Sequence, residues 1–171
     1  MLPPFNTERL ILQERTIRDI ESCINMDRDP EVVRFINGPW KNETKHREFV
    51  AARIRNEYPK GLGYWTIEHK NKNFLGWIML IPIDNIGPEI EIGWRLKRDY
   101  WGQGYATEAA KPILDHAFHT VGIDRVVADI HFENEDSIRV AQKIGLESEG
   151  LQDEGNGPLY RYSLCKKVNS I

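Results

Sequence analysis

Apolar positions in this chain follow two rhythms, the two-residue period of a strand and the three-to-four-residue period of a helix. Thr7 to Glu14, centred on Leu10-Ile11-Leu12, reads as a strand. Asp19 is placed to cap a short helix through Met26, and Asp29-Pro30-Glu31 opens a second helix that runs to about Ile36 and stops at Asn37-Gly38-Pro39. Thr44 to Glu57 has helical spacing, with Phe49, Ala52 and Ile54 as its apolar positions. Tyr64 to Glu68 and Phe74 to Ile81 read as the arms of a hairpin turned by Lys70-Asn71-Lys72-Asn73. Beyond Pro82 and Gly87-Pro88 lies another strand, Glu89 to Leu96.

In the second half, Ala106, Ala109, Ala110, Ile113, Ala117 and Val121 mark one face of a long helix. Pro112 sits inside it and has no N–H for the Glu108 carbonyl, which predicts a bend or an irregular turn. Arg125 to Ile130 is a β-branched strand. Asn134 suits an N-cap, with Glu135 and Asp136 in the first turn, Ile138, Ala141 and Ile144 as the apolar stripe and Gly145 at C′. Leu159 to Leu164 is a final strand. The order is strand, helices, three strands, helix, strand, helix, then one or two strands. It predicts an α/β fold, a mixed sheet with helices on its faces. No repeat or linker interrupts the 171 residues, so 1–171 reads as a single domain.

Composition narrows the partners. A net charge of −3 argues against a general nucleic-acid binder, and no apolar run approaches the ~20 residues that span a bilayer. The start, Met1-Leu2-Pro3-Pro4-Phe5-Asn6, has neither the basic nor the apolar region of a signal peptide. Cys23 and Cys165 form no CxxC pair and are expected to be small buried hydrophobes, which leaves neither a disulfide framework nor a metal site. The expected location is the cytoplasm; monomer and homodimer are both open.

The segment that carries chemistry is Trp101-Gly102-Gln103-Gly104-Tyr105-Ala106-Thr107-Glu108-Ala109, between the strand ending at Leu96 and the long helix. Glycines at such a turn let backbone N–H groups converge on an anion, and the helix N-terminus adds partial positive charge. It is not a P-loop, because both the GxxxxGK[ST] spacing and the lysine are missing. Nor is it a dinucleotide fingerprint, since Thr107 stands where a third glycine belongs.

Four segments together resemble the GNAT N-acetyltransferases, in particular the ribosomal-protein N-acetyltransferase-like (RimJ/RimL-type) branch. They are Thr7 to Leu12, Glu91 to Leu96, Trp101 to Ala109, and Asn134-Glu135-Asp136-Ser137 followed by Val140, Lys143 to Leu146 and Glu149-Gly150. The resemblance implies a single-domain GNAT fold whose mixed, mostly antiparallel sheet carries helices on both faces and splays at its centre, with acetyl-CoA as co-substrate and an amine as acceptor. Gly102, Gln103, Gly104, Tyr105, Ala106 and Thr107 would cradle the pyrophosphate, the strand with Trp94 and Leu96 would lend backbone groups to the pantetheine arm, and Asn134 would hold the pantetheine or the adenosine side. Trp101 departs from the Gln or Arg of the wider family. Phe35 to Trp40 corresponds to the wall of the acceptor pocket.

Acetyl transfer needs a neutral amine, a donor for the tetrahedral oxyanion and relief for the leaving thiolate. The tyrosine that many relatives use as acid falls here on Ala141, so Ser137, one helical turn earlier, becomes the candidate, with helix capping as its alternative role. Glu89 and Glu91 share one side of their strand, and Glu91, nearer the splay, is the candidate base; a structural pair with Arg95 is the competing reading. His69 and His131 are rival bases. Glu108 reads as a helix-start residue compensating the dipole. The implied reaction is direct acetyl transfer in a ternary complex to a primary amine, the α-amine of a peptide or protein in this branch. A polyamine, amino acid or antibiotic acceptor, and a non-catalytic acyl-CoA-binding module, remain alternatives. A polycation would need Asp84, Glu89, Glu91, Asp153 and Glu154 to converge.

Overall fold

The computed structural model describes residues 1–153 and 158–166. Its strands are β1 (Phe5–Asn6), β2 (Leu10–Glu14), β3 (Gly63–His69), β4 (Phe74–Pro82), β5 (Ile90–Leu96), β6 (Arg125–His131), β7 (Glu147–Asp153) and β8 (Pro158–Cys165). They form one sheet in the order β1-β2-β3-β4-β5-β6-β8-β7. Neighbours are antiparallel except β5 and β6, which run parallel because α3 (Tyr105–Asp115) connects them. The other α-helices are α1 (Ile20–Asp27), α2 (Glu43–Arg55) and α4 (Glu135–Lys143).

Helices cover both faces, which is why β3 and β4 read as nearly continuous apolar runs. On one face the α3 stripe Ala109, Ala110, Ile113 packs with Leu75, Ile78, Leu80 and Ile92 of the sheet. The alanines let this helix approach closely, and Ala117 extends the same buried line. Pro112 lies within α3, which continues to Asp115, and the irregularity comes one turn beyond the expected place: a wider π-type turn occupies His116–Val121 and ends at Gly122, φ +83°. The predicted end of α4 is also present. Gly145 takes φ +92°, its N–H donates to the Gln142 carbonyl and that of Leu146 to the Ala141 carbonyl.

The opposite face differs from expectation in two places. Residues 31–36 form successive turns, with three-residue hydrogen bonds from Val32 N–H to Asp29 O and Ile36 N–H to Val33 O, instead of a helix. The Asp29 carboxylate accepts the Glu31 N–H, offering the backbone a local alternative in a segment too short to propagate a helix. In α2 the buried positions are His46, Val50 and Ala51 rather than Phe49, Ala52 and Ile54. A polar anchor sets this rotation. His46 Nε2 lies 3.0 Å from Asp27 Oδ2, and Arg95 Nη1 donates to Asp27 Oδ1 at 2.9 Å. Three buried polar side chains from α1, α2 and β5 thus fasten the helical layer to the sheet.

β7 is polar apart from Gly150 and the exposed Leu151, so periodicity does not reveal it. It exists by pairing with β8 as the sheet's last strand, where polar side chains also discourage further pairing. Cys23 is buried as expected, and burial pushes its thiol up to about 12; Cys165 is exposed at the end of β8, contrary to expectation, because the ladder stops there. No helix among the described residues is long and apolar enough to cross a membrane.

Removing Asp27 leaves a buried guanidinium and a buried imidazole without their shared carboxylate. Asp27→Ala is expected to lose about 3–5 kcal/mol in urea unfolding, and a loss below ~1 kcal/mol would show that the cluster does not fasten the layers.

Candidate active site

The sheet is interrupted at its centre. β5 and β6 keep register only at Ile90↔Val126 and Glu91↔Val127 and then part, so the expected splay is present. Along an antiparallel strand, N–H and C=O groups point alternately to either neighbour. Those of β5 from Ile92 to Leu96 that do not face β4 therefore face the gap.

At the wide end of this gap lies a cavity of about 390 Å³. Its walls include Trp94, Leu96, Gly102, Gly104, Tyr105, Ala106, Thr107, Asn134 and Ser137, nine of the residues expected to serve the site. Gly102 and Gly104 adopt φ +70° and +79°, a region that disfavours side chains, and Gly104 is the N-cap of α3. The first helical bond runs from Glu108 N–H to Gly104 O, so the N–H groups of Tyr105, Ala106 and Thr107 have no helical acceptor. No side chain caps this end. The result is a cluster of backbone donors at the positive end of a helix, suited to a pyrophosphate.

Gln103 contributes differently. Its side chain donates to the Asp99 carbonyl at 2.8 Å, and its own carbonyl accepts Arg9 Nη1 at 3.1 Å, so only its backbone serves the loop. The indole of Trp101 donates to the Leu96 carbonyl at 2.9 Å, tying the loop to the end of β5.

The loop is held from behind by the chain's first segment. Glu108 accepts from Thr7 Oγ1 at 2.5 Å, from Arg9 N–H at 2.8 Å and from Arg9 Nε at 2.7 Å. Arg9 also lies over the Tyr105 ring, 4.2 Å from its centroid. Burial alone would lift the Glu108 carboxyl, but the donors from Thr7 and Arg9 outweigh it and hold the group below the usual carboxylate range. Glu108 is therefore a latch joining the turn between β1 and β2 to α3, which agrees with a structural reading of this residue and gives it a partner that helical periodicity does not reveal.

Across the cavity, the Asn134 side chain accepts the Ser137 N–H at 3.2 Å and caps α4. Capping thus falls to Asn134, and the Ser137 hydroxyl is left to the cavity wall. Ala141, in the position of the family tyrosine, is buried in the core. Phe35 and Ile36 line the cavity, and Phe35 stacks on His131 with centroids 4.8 Å apart, so this histidine is committed to packing at the rim. His69 packs edge-on against Tyr105, behind the loop.

Glu91 does not line the cavity; it sits at the last paired position before the gap. Burial, followed by the Asp129 carboxylate, raises its pKa to about 7. The competing pair with Arg95 is not formed, since Arg95 is bound to Asp27. Glu89 is bound by Arg125 and Arg161, and Arg161 also grips Asp129 with two bonds of 2.8 and 2.7 Å. The acidic residues therefore do not gather as an unpaired set, and Glu154 lies outside the described residues. No group of three or more His, Cys, Asp and Glu suited to a metal occurs among the described residues.

A family model described as acetyltransferase (GNAT) domain matches residues 9–147. The Bacillus subtilis protein YkkB is 34% identical over 160 residues, covering 91% of this chain and 92% of that protein. An acetyltransferase structure from Agrobacterium tumefaciens is 26% identical and has a TM-score of 0.81, covering 97% of this chain and 96% of its own. At lower identity, two structures share the fold. RimL, a ribosomal L7/L12 alpha-N-protein acetyltransferase in complex with coenzyme A, has a TM-score of 0.78 at 16% identity, covering 95% of this chain and 98% of its own. Spermidine N-acetyltransferase from Vibrio cholerae, in complex with CoA and spermine, has 0.75 at 19%, covering 91% and 95%.

The latch makes a direct prediction. In Glu108→Ala the Arg9 guanidinium loses its carboxylate and the glycine loop its backing. We expect a stability loss of about 1–3 kcal/mol and a KM for acetyl-CoA raised roughly tenfold with a smaller change in kcat. An unchanged KM would separate the latch from the loop's function.

Proposed function

This chain belongs to the GNAT acetyltransferase family, and we propose that it transfers acetyl from acetyl-CoA to a primary α-amine, that of a peptide or protein N-terminus, by direct attack in a ternary complex. The observation that carries this reading is the parting of β5 and β6 beside a loop of unpaired N–H groups. The loop takes the pyrophosphate, and the backbone groups exposed along β5 pair with the amide-bearing pantetheine arm as a neighbouring strand would. The thioester then lies in the gap, and Glu91 stands at its narrow end.

The chemistry follows from these positions. The amine nitrogen attacks the thioester carbonyl carbon, and its proton passes to the Glu91 carboxylate, directly or through one water. A carboxyl with a pKa of about 7 is divided between its acid and base forms near neutrality, which suits a base that must accept a proton and release it. The oxyanion is met by backbone N–H groups facing the gap. As the C–S bond breaks, the Ser137 hydroxyl donates a hydrogen bond to the thiolate; a hydroxyl is a weak acid, so it stabilises and orients more than it protonates. A compact N-terminal amine fits better than a polycation, because the carboxylates Glu89 and Asp129 beside Glu91 are neutralised by Arg125 and Arg161.

Thiol release from acetyl-CoA, measured across N-terminal peptides, amino acids and polyamines, tests the assignment. Peptides with a free α-amine are expected to drive release, and their N-acetylated forms are not. Release with spermidine alone would move the acceptor to polyamines, and no release despite coenzyme A binding would leave a binding module.

The pH profile tests Glu91. As pH rises through about 7 the carboxyl loses its proton and becomes able to take one, so kcat/KM should climb on a limb near that value. Glu91→Gln should lower kcat/KM by about 10²-fold or more and remove the limb, whereas Ser137→Ala should lower kcat and keep it. A limb retained in Glu91→Gln assigns the base elsewhere.

A further inference from the structure

On the reading that Glu91 is the base, we propose that Arg161 is a positioning residue for the transfer: from β8 it clamps Glu89 of β5 and Asp129 of β6 across the place where those strands part, and so sets the charge that Glu91 meets. Arg161 Nε donates to Asp129 Oδ1 at 2.8 Å, Nη2 to Asp129 Oδ2 at 2.7 Å and Nη1 to Glu89 Oε2 at 3.0 Å. None of the three residues lines the acyl-CoA cavity, so the clamp stands beside the site rather than in it.

The strand register explains how one guanidinium reaches both strands. β5 and β6 pair at Glu91↔Val127, and β6 and β8 pair at Asp129↔Arg161. Alternate residues of a strand share a face, so Glu89, Glu91, Asp129 and Arg161 project to the same side of the sheet. Glu89 precedes the paired positions of β5 and β6, and Asp129 follows them. Arg161 therefore bridges from one end of the paired stretch to the other, and along the strand direction Glu91 lies between the two carboxylates it holds. The Arg161 and Asp129 side chains are only 15% and 19% exposed, so water and salt screen their bonds little.

Several charges act on Glu91. Burial raises its carboxyl most and the Asp129 carboxylate next; the Arg161 guanidinium opposes both, and Asp84, in the turn after β4, adds a further push upward. On its own strand, Arg95 is bound to Asp27 of α1, and Glu89 to Arg125 and Arg161. Arg161 thus acts in two ways, as a cation near Glu91 and by neutralising the Asp129 carboxylate. An arginine suits this place, because its planar fork takes both oxygens of one carboxylate and keeps its charge. A lysine would supply a point charge without fixing the Asp129 carboxylate. With neither, Glu89, Glu91 and Asp129 would be neighbouring like charges, and such groups hold a proton on one of their number.

Carbon NMR of the Glu91 carboxyl, its signal identified by loss in Glu91→Gln, reads the group without turnover, and the pH profile of kcat/KM reads it in turnover. In Arg161→Gln the carboxyl should keep its proton to higher pH, the NMR midpoint and the kinetic limb both rising by ~1 pH unit. At pH about 7, kcat/KM should then fall roughly fivefold and approach wild type at alkaline pH, a recovery that a merely loosened structure would not show. Asp129→Asn removes the negative neighbour and should move both midpoints down. A Glu91 midpoint unmoved in Arg161→Gln and in Asp129→Asn would overturn the proposal and leave Glu91 as the base. A midpoint that moves by NMR while the kinetic limb stays would overturn the base assignment itself, and with it the role of Arg161 in the transfer. Should Arg161→Gln fail to fold, Arg161→Lys keeps the charge and loses the fork, and its midpoint should rise by less; an unmoved midpoint in both Arg161→Lys and Asp129→Asn would overturn the proposal equally.

Discussion

Two paired positions between β5 and β6, and no more, decide what this fold can hold. Parallel strands that stayed in register to Leu96 would satisfy each other's backbone groups and leave no opening. Parting after Glu91 does three things together. It opens a gap in the middle of the sheet, presents unpaired N–H and C=O groups along β5, and leaves a carboxylate at the point where the strands separate. Everything else in the site is arranged around that opening. The glycine loop stands at its wide end, α4 brings Ser137 and Asn134 to one wall, and the turns at residues 31–36 bring Phe35 to another.

Two polar clusters keep these parts in place. Arg9 and Glu108 bind the first strands to the start of α3, so the donors of the glycine loop are fixed from the side away from the cavity. Asp27, His46 and Arg95 bind α1 and α2 to β5 on the other face. In the second, one carboxylate serves donors from two further elements; in the first, it takes three bonds from one short segment. The Asp27 cluster gives geometric definition beyond what apolar packing supplies, since His46 or Arg95 left alone would be a buried unpaired group. A rigid site matters for acyl transfer because most of the advantage lies in holding amine, thioester and base in one geometry.

Much of the site was legible in the chain because it depends on local chemistry. Positive φ at Gly102 and Gly104, the cap at Asn134, the C-terminal turn at Gly145 and the irregularity after Pro112 are each set by a few adjacent residues. What escaped depends on contacts distant in sequence. β7 has no apolar rhythm and is a strand only because β8 pairs with it. The rotation of α2 follows from His46 meeting Asp27, a polar pair that an apolar pattern is blind to. Arg9 lies in the segment Thr7 to Leu12, yet its role appears only when Glu108, 99 residues later, is beside it. Arg15, buried against the Tyr64 ring, left no signal in periodicity, because a charged residue after a strand reads as surface.

The central claim is that coenzyme A enters through the parted strands. A crystal structure of the chain with coenzyme A tests it most directly. The account predicts the pyrophosphate on the backbone N–H groups between Gln103 and Thr107, the pantetheine alongside β5 and the thiol between β5 and β6, within reach of Ser137 and on the Glu91 side. Coenzyme A bound elsewhere, or β5 and β6 closed together in its presence, would contradict it.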